Sequence, residues 1–131
     1  MMRQKIPDKE KAKSLIISSK KDYEYTLTLE TNNNSANTII RNIYESFRML
    51  GEAILTINGH EFTDHIECIK ELINLDIKTK RPVQILDYLR KTRHRINYYG
   101  YIAKKDEAEE IISMAKDLFL EFYREIERRV R

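Results

Sequence analysis

Glycine, proline, cysteine and tryptophan are scarce in this chain, and each shortage excludes a class of protein. The 131 residues include 3 glycines, 2 prolines, 1 cysteine and no tryptophan. An all-β fold needs many tight turns, which glycine and proline build, so these counts argue against such a fold. The single cysteine, Cys68, cannot form an intrachain disulfide, so nothing indicates a small secreted scaffold.

Long apolar runs are also missing. No stretch approaches the roughly 18 consecutive apolar residues that a membrane-spanning helix needs. The first residues, MMRQKIPDKEKAK, lack the apolar core of a signal peptide. Charged residues make up 34% of the chain, so we expect a soluble protein that contacts no membrane and resides in the cytoplasm.

The common catalytic and metal-binding motifs are absent as well. The chain has no glycine-rich phosphate loop, no HExxH, no CxxC and no Gly-x-Ser-x-Gly turn. Its three histidines, His60, His65 and His94, have no cysteine partners at zinc-binding spacing. We therefore expect neither a metal site nor a cofactor.

Helical periodicity is present along nearly the whole chain. Apolar residues recur every three to four positions, and the predicted helices cover about Asp8–Glu30, Ser35–Ile57, Thr63–Leu75, Arg81–Gly100 and Lys105–Val130. The stretch Tyr23–Leu29 alternates like a strand, but we interpret it as helix because no partner strand is predicted. Short connections between the helices then predict one all-α domain over residues 1–131, an up-and-down antiparallel bundle of four to five helices.

Charge is sorted along the second half of the chain. Between Lys78 and Arg95 there are seven basic residues and only one acidic residue, Asp87, which gives a local charge of +6. The next stretch, Asp106–Glu110, is acidic. A basic stripe of this kind can hold phosphates, although a solvated helix face is the simpler interpretation.

The most informative stretch is RKTRHRINYYGY, residues 90–101, at the end of the fourth predicted helix. On a helix, Arg90, Arg93 and Asn97 share one face, and His94 and Tyr98 share the neighbouring one. Gly100 then lets the backbone leave the helix. Arginine suits bidentate phosphate contacts, and tyrosine can stack on unpaired bases.

This mixture predicts RNA or nucleotide binding. The side chains expected to bind the nucleic acid are Arg90, Lys91, Arg95, Tyr99 and Tyr101. In the alternative interpretation the tyrosines pack at a subunit interface and the arginines are simply solvated.

Two segments carry a resemblance to a known family. The first is SFRMLGEAIL, residues 46–55, followed by Gly59 and His65. The second and more specific one is LRKTRHRINYYG, residues 89–100, followed by the EAEEII stretch at 107–112. In order and spacing the chain resembles the HEPN family over about residues 35–122. This family consists of small helical domains that often accompany minimal nucleotidyltransferases.

The resemblance implies a function and a set of site residues. HEPN ribonucleases carry an arginine, a polar residue, about three variable residues and a histidine, and the arginine and histidine meet across a homodimer cleft. The implied chemistry is metal-independent RNA cleavage, in which the histidine moves protons and the arginine stabilises phosphoryl charge. In toxin–antitoxin pairs the nucleotidyltransferase can silence the domain by modifying a tyrosine beyond the histidine.

Carried onto this chain, the motif arginine is Arg93 and the polar residue is His94. The histidine position falls on Tyr98, or on Tyr99 with the longer spacing, and Tyr101 is a counterpart of the modified tyrosine. A phenol with a pKa of about 10 is a poor base at neutral pH, whereas histidine has a pKa of about 6.5.

We therefore predict a homodimeric HEPN-like domain, the partner of a nucleotidyltransferase in a toxin–antitoxin-type system. It would bind RNA or a nucleotide and be catalytically weak or inactive. The first alternative is an active ribonuclease whose catalytic residues are Arg93, His94, Asn97 and Tyr98. The second alternative is a structural dimer module with no nucleic-acid role.

Overall fold

In the part of the chain that the structure describes, five helices form a bundle, which confirms the predicted all-α fold. The computed structural model describes residues 3–4, 6–61 and 65–131. The helices run over Lys9–Leu27 (α1), Ala36–Ile57 (α2), His65–Ile73 (α3), Ile85–Tyr98 (α4) and Lys105–Val130 (α5). Besides these, Arg3–Gln4 (β1) pairs antiparallel with His60–Glu61 (β2), a ladder of only two residues on each side.

The first helix begins and ends close to the predicted positions. The Asp8 carboxylate accepts a hydrogen bond from the Lys11 backbone N–H at 2.9 Å, an N-cap that contributes about 1 kcal/mol. Helix α1 continues through the alternating stretch as far as Leu27. The helical interpretation of that stretch is therefore confirmed, although the helix ends three residues before Glu30.

The residue before α2 stabilises the loop rather than the helix. Ser35 stands at the N-cap position of α2, but its hydroxyl makes no capping bond. It donates instead to the Glu30 carbonyl at 2.7 Å and accepts from the Asn32 N–H at 3.0 Å, so it stabilises the preceding loop. Thr63, predicted to start α3, lies outside the described residues.

Helix α4 begins at Ile85 rather than at the predicted Arg81–Pro82. The backbone N–H groups of Ile85 and Leu86 bond to the carbonyls of Pro82 and Val83, at 3.2 and 3.0 Å. Each N–H bonds to the carbonyl three residues earlier, as in a 3₁₀-helix, so a tight turn precedes the regular α-helix. At the other end Gly100 has a φ of +66°, the left-handed conformation expected where the chain leaves a helix.

The core lies around α2, which contacts every other helix. Its centre is aromatic: the rings of Tyr23 and Phe119 stack at 4.1 Å, and Phe47 meets Phe119 edge-on at 5.4 Å. Two large side chains that follow the helical apolar spacing, Ile66 and Tyr99, are exposed. Ile66 lies in the first turn of α3, and Tyr99 lies just beyond the last residue of α4.

Within the described ranges, no helix combines the length and apolar character needed to cross a membrane.

Helices α2 and α3 approach each other closely at Gly51. A Cβ atom added there would lie 2.1 Å from the carbonyl oxygen of Cys68 on α3. Since this is far inside van der Waals contact with backbone atoms, only glycine fits at this crossing.

Candidate nucleic-acid interface

A line of polar contacts joins the first half of α2 to the end of α4 and the loop that follows. Arg41 Nε donates to Asn97 Oδ1 at 2.8 Å. The Asn37 side chain donates to the Tyr101 carbonyl at 3.4 Å and accepts from the Ala103 N–H at 2.8 Å. These contacts set an antiparallel register, and we call this line the α2–α4 seam.

Asn33, in the loop before α2, extends the seam by one more step. Its side-chain oxygen accepts a hydrogen bond from the Lys105 N–H at 2.8 Å. The segment between α4 and α5 is therefore held by two asparagines, Asn33 and Asn37. This fixes the position of the chain immediately after Gly100.

Arg93 packs against α2 at the other end of the seam. Its guanidinium carbon lies 4.9 Å from the centre of the Tyr44 ring, a cation–π geometry. The side chain is half-buried, and among the described residues no carboxylate pairs with it. The charge of Arg93 is therefore held in place without being neutralised.

His94, Tyr98 and Tyr99 form an aromatic group on the outer side of α4. The His94 ring lies 4.7 Å from the Tyr98 ring and 5.5 Å from the Tyr99 ring. Tyr98 is 65% exposed and Tyr99 is 76% exposed, so their faces are open to solvent. Two adjacent rings with open faces form a surface on which a planar group can stack.

The predicted catalytic residues divide into two pairs. Arg93 and Asn97 contact α2, whereas His94 and Tyr98 contact each other on the outer side. This follows from the helical turn, because residues one position apart point about 100° away from each other. Within the chain, the four predicted catalytic side chains therefore do not face one common point.

Arginines border the aromatic group on both sides. The helical angles place Arg93 and Asn97 on one edge of this group, and Arg95 on the other edge. Arg41 lies on the first edge because it bonds to Asn97. Arg95 stacks on the Tyr101 ring with its guanidinium carbon 3.9 Å from the ring centre. We call this set, Arg41, Arg93, His94, Arg95, Tyr98 and Tyr99, the tyrosine–arginine surface.

Several basic residues of the predicted stripe pair with carboxylates, and the local charge of +6 counts Asp87 but not the partners of Arg81. Asp87 pairs with Arg90 at 3.0 Å and with Lys91 at 3.1 Å, and hydrogen bonds from both keep the Asp87 pKa below its usual value. Arg81 turns to α5, where it pairs with Asp117 at 2.8 Å and Glu110 at 3.0 Å. The charge counted over residues 78–95 therefore overstates the unpaired charge, because the acidic partners of Arg81 lie outside that stretch.

The Tyr101 hydroxyl, a candidate for modification, is already engaged. It donates to Glu107 Oε1 at 2.5 Å, and this hydrogen bond raises the Tyr101 pKa. Glu107 also accepts from the Lys104 N–H at 3.2 Å at the start of α5. Modification of Tyr101 would first require its hydroxyl to leave Glu107, and the half-buried ring offers little surface for stacking on a base.

Sequence reasoning missed Arg41, Tyr44 and Asn37. In the sequence, Arg41 and Asn37 are ordinary polar positions of α2, and Tyr44 falls beside its apolar stripe. Their contacts with α4 depend on how the two helices are aligned, and no local pattern records that alignment.

Tyr44 makes the stability of the protein sensitive to alkaline pH. Burial raises its pKa to about 12 from an ordinary value of about 10, and the side chain is only 1% exposed. Because the folded protein holds this proton more tightly, the contribution is complete below pH 10 and is lost as pH rises towards 12. We expect titration of Tyr44 to account for about 2–3 kcal/mol of the loss that urea unfolding shows over this range. The Cys68 thiol adds to that loss, because burial also raises its pKa to about 12.

Two variants check the assignment to Tyr44. Tyr44→Phe should reduce the alkaline decline in the free energy of unfolding by about 2–3 kcal/mol and leave the part due to Cys68 and Tyr23. Tyr25→Phe, at an exposed position on α1, should leave the decline unchanged. An equal decline in wild type and Tyr44→Phe would show that other groups cause it.

Comparison of the chain with protein-family models, curated proteins and solved structures found no match. Within the described part of the chain, no group of three or more His, Cys, Asp or Glu side chains is placed to hold a metal ion. A function for this chain is therefore inferred from the tyrosine–arginine surface and from the resemblance to the HEPN family.

Proposed function

We propose that this chain is a HEPN-type domain that binds RNA or a nucleotide through the tyrosine–arginine surface and cleaves it weakly or not at all. The observation that carries the proposal is the pair of exposed rings, Tyr98 and Tyr99, flanked by arginines that lack carboxylate partners among the described residues. Bases stack on exposed aromatic faces, and guanidinium groups bind phosphate oxygens.

Binding is favoured over cleavage for two reasons. Tyr98 stands where a HEPN ribonuclease carries histidine, and an ordinary phenol holds its proton at neutral pH. In addition, Arg93 and Asn97 are engaged by α2, away from the outward pair of His94 and Tyr98. General acid–base chemistry needs a proton-transfer group within hydrogen-bond reach of the reacting phosphate, beside the group that stabilises its charge.

The proposal extends to partners through the HEPN resemblance. The protein would act as a homodimer beside a small nucleotidyltransferase in a toxin–antitoxin-type pair, and its RNA would be met in the cytoplasm. A nucleotidyltransferase gene next to the gene for this chain would support the pairing. The five-helix architecture is the kind of fold that the resemblance implies.

The test is to incubate the purified protein with tRNA and with single-stranded RNA in the absence of divalent metal. We expect intact RNA to be bound, with an affinity that falls steeply as salt rises. Tyr98→Ala should weaken binding by about 1–3 kcal/mol because one stacked base is lost. Tyr25→Ala, which removes an exposed tyrosine from α1, is the matched control and should bind like wild type.

Other outcomes would select the alternatives. RNA cleavage that disappears in Arg93→Ala would establish the ribonuclease and contradict a binding-only role. A protein that binds no RNA even at low salt would be left as a structural dimer module.

A further inference from the structure

Arg41 is an exposed arginine whose orientation is fixed but whose charge is not neutralised. Its Nε donates to the amide oxygen of Asn97 at 2.8 Å. Its two terminal amino groups have no partner among the residues that the structure describes. The side chain therefore presents its two terminal amino groups to solvent next to α4.

Another arginine on the same helix shows the contrast. Arg48 bonds to the carboxylates of both Glu45 and Glu52, which cancel its charge. Arg41 bonds to a neutral amide, which orders the side chain and leaves the full positive charge available. Ordering without neutralisation is what a phosphate-binding arginine requires, because less conformational entropy is then lost on binding.

The position of Arg41 also fits the tyrosine–arginine surface. Arg41 and Tyr44 are three residues apart on α2, and their partners, Asn97 and Arg93, are four residues apart on α4. The two arginines therefore lie side by side on one edge of the aromatic group.

We infer that Arg41 contacts a phosphate of the bound nucleic acid and that Asn97 is the positioning residue that holds it. This inference rests on the proposed function, and it adds α2 to a surface that the sequence had placed on α4 and the residues just after it. A nucleic-acid strand would then extend from the exposed rings towards the first half of α2.

The test measures binding of a fluorescein-labelled oligomer of eight uridines by fluorescence anisotropy over a range of salt concentrations. Arg41→Gln should weaken binding about tenfold at low salt and reduce the salt slope by about 0.7, the value for one lost phosphate contact on a single strand. Arg124→Gln, at an exposed position on α5, is the control and should match wild type.

Asn97→Ala separates positioning from charge. It removes the acceptor but keeps Arg41, so affinity should fall several-fold while the salt slope stays at the wild-type value. Unchanged circular dichroism and thermal unfolding would establish that both variants fold.

Two results would overturn the inference. If Arg41→Gln binds like wild type while Arg93→Gln and Tyr98→Ala bind weakly, Arg41 lies outside the site but the proposed function stands. If the wild-type protein does not bind the oligomer, the proposed function and this inference both fail.

Discussion

Gly51→Ala is expected to lower the free energy of unfolding by about 3 kcal/mol or more. The added methyl group would lie 2.1 Å from the Cys68 carbonyl oxygen, and that oxygen belongs to the backbone of α3. A flexible side chain could move aside, but here α2 and α3 must separate along their length. The separation would also loosen the packing of Leu72, which is fully buried on α3. Urea denaturation followed by circular dichroism measures the loss.

Gly100→Ala provides a matched control for this prediction. A Cβ atom at Gly100 meets nothing within 4 Å, but the backbone φ of +66° is strained for alanine. We expect a cost of about 1–2 kcal/mol from that strain alone. If Gly51→Ala were no more destabilising than Gly100→Ala, the close helix crossing would be wrong.

Arg48→Met is expected to destabilise the protein by about 3–5 kcal/mol. The side chains of Arg48 and Glu52 are each only 12% exposed, and they are joined by a contact of 2.6 Å. Arg48 also pairs with Glu45. Removing the guanidinium leaves Glu52 poorly solvated, with Lys11 at 3.5 Å as its remaining cation. The loss should appear as a lower urea midpoint with an unchanged slope.

Two further variants isolate the cause. Arg128→Met breaks a pair with Glu125 on the outside of α5, where the arginine side chain is 64% exposed, and should cost at most about 1 kcal/mol. Adding Glu45→Gln and Glu52→Gln to Arg48→Met should recover much of the lost stability, because no unpaired carboxylate then remains. Failure of this triple variant to recover would mean that Arg48 acts through its packing rather than its charge.

Gly51 and Arg48 both lie in residues 46–55, one of the two segments that resemble the HEPN family. Arg48 and Glu52 pair with each other within α2, and Gly51 forms the close crossing with α3. The contacts described for this segment are therefore structural ones. The functional likeness depends on residues 89–100 alone.

Much of the fold could be predicted from the sequence because apolar residues repeat at helical spacing. Helix α2 is an example: Ile39, Ile43 and Phe47 follow this spacing and are fully buried. Errors occurred where an element starts or stops, since Tyr99 follows the helical pattern but lies past the end of α4. The spacing of apolar residues also does not show the tight turn after Pro82, which lies at the start of α4.

The candidate site could be predicted only in part. Local spacing correctly placed His94 beside Tyr98, since both lie on one helix four residues apart. It could not show that Arg41 meets Asn97, because that contact depends on the alignment of α2 with α4. Nor could it show that Arg81 pairs with Asp117, which lies 36 residues away on another helix.

The α2–α4 seam also determines when the tyrosine–arginine surface can form during folding. Its contacts join residues far apart in sequence, 56 positions for Arg41 and Asn97 and 72 for Asn33 and Lys105. Contacts of this range require large loops to close, so they form with the tertiary structure rather than within single helices. A nascent chain that has exposed only α1, α2 and α3 lacks the surface altogether. A nucleic acid that binds only the finished surface would stabilise the whole bundle by about 2.7 kcal/mol at a concentration one hundred times its Kd.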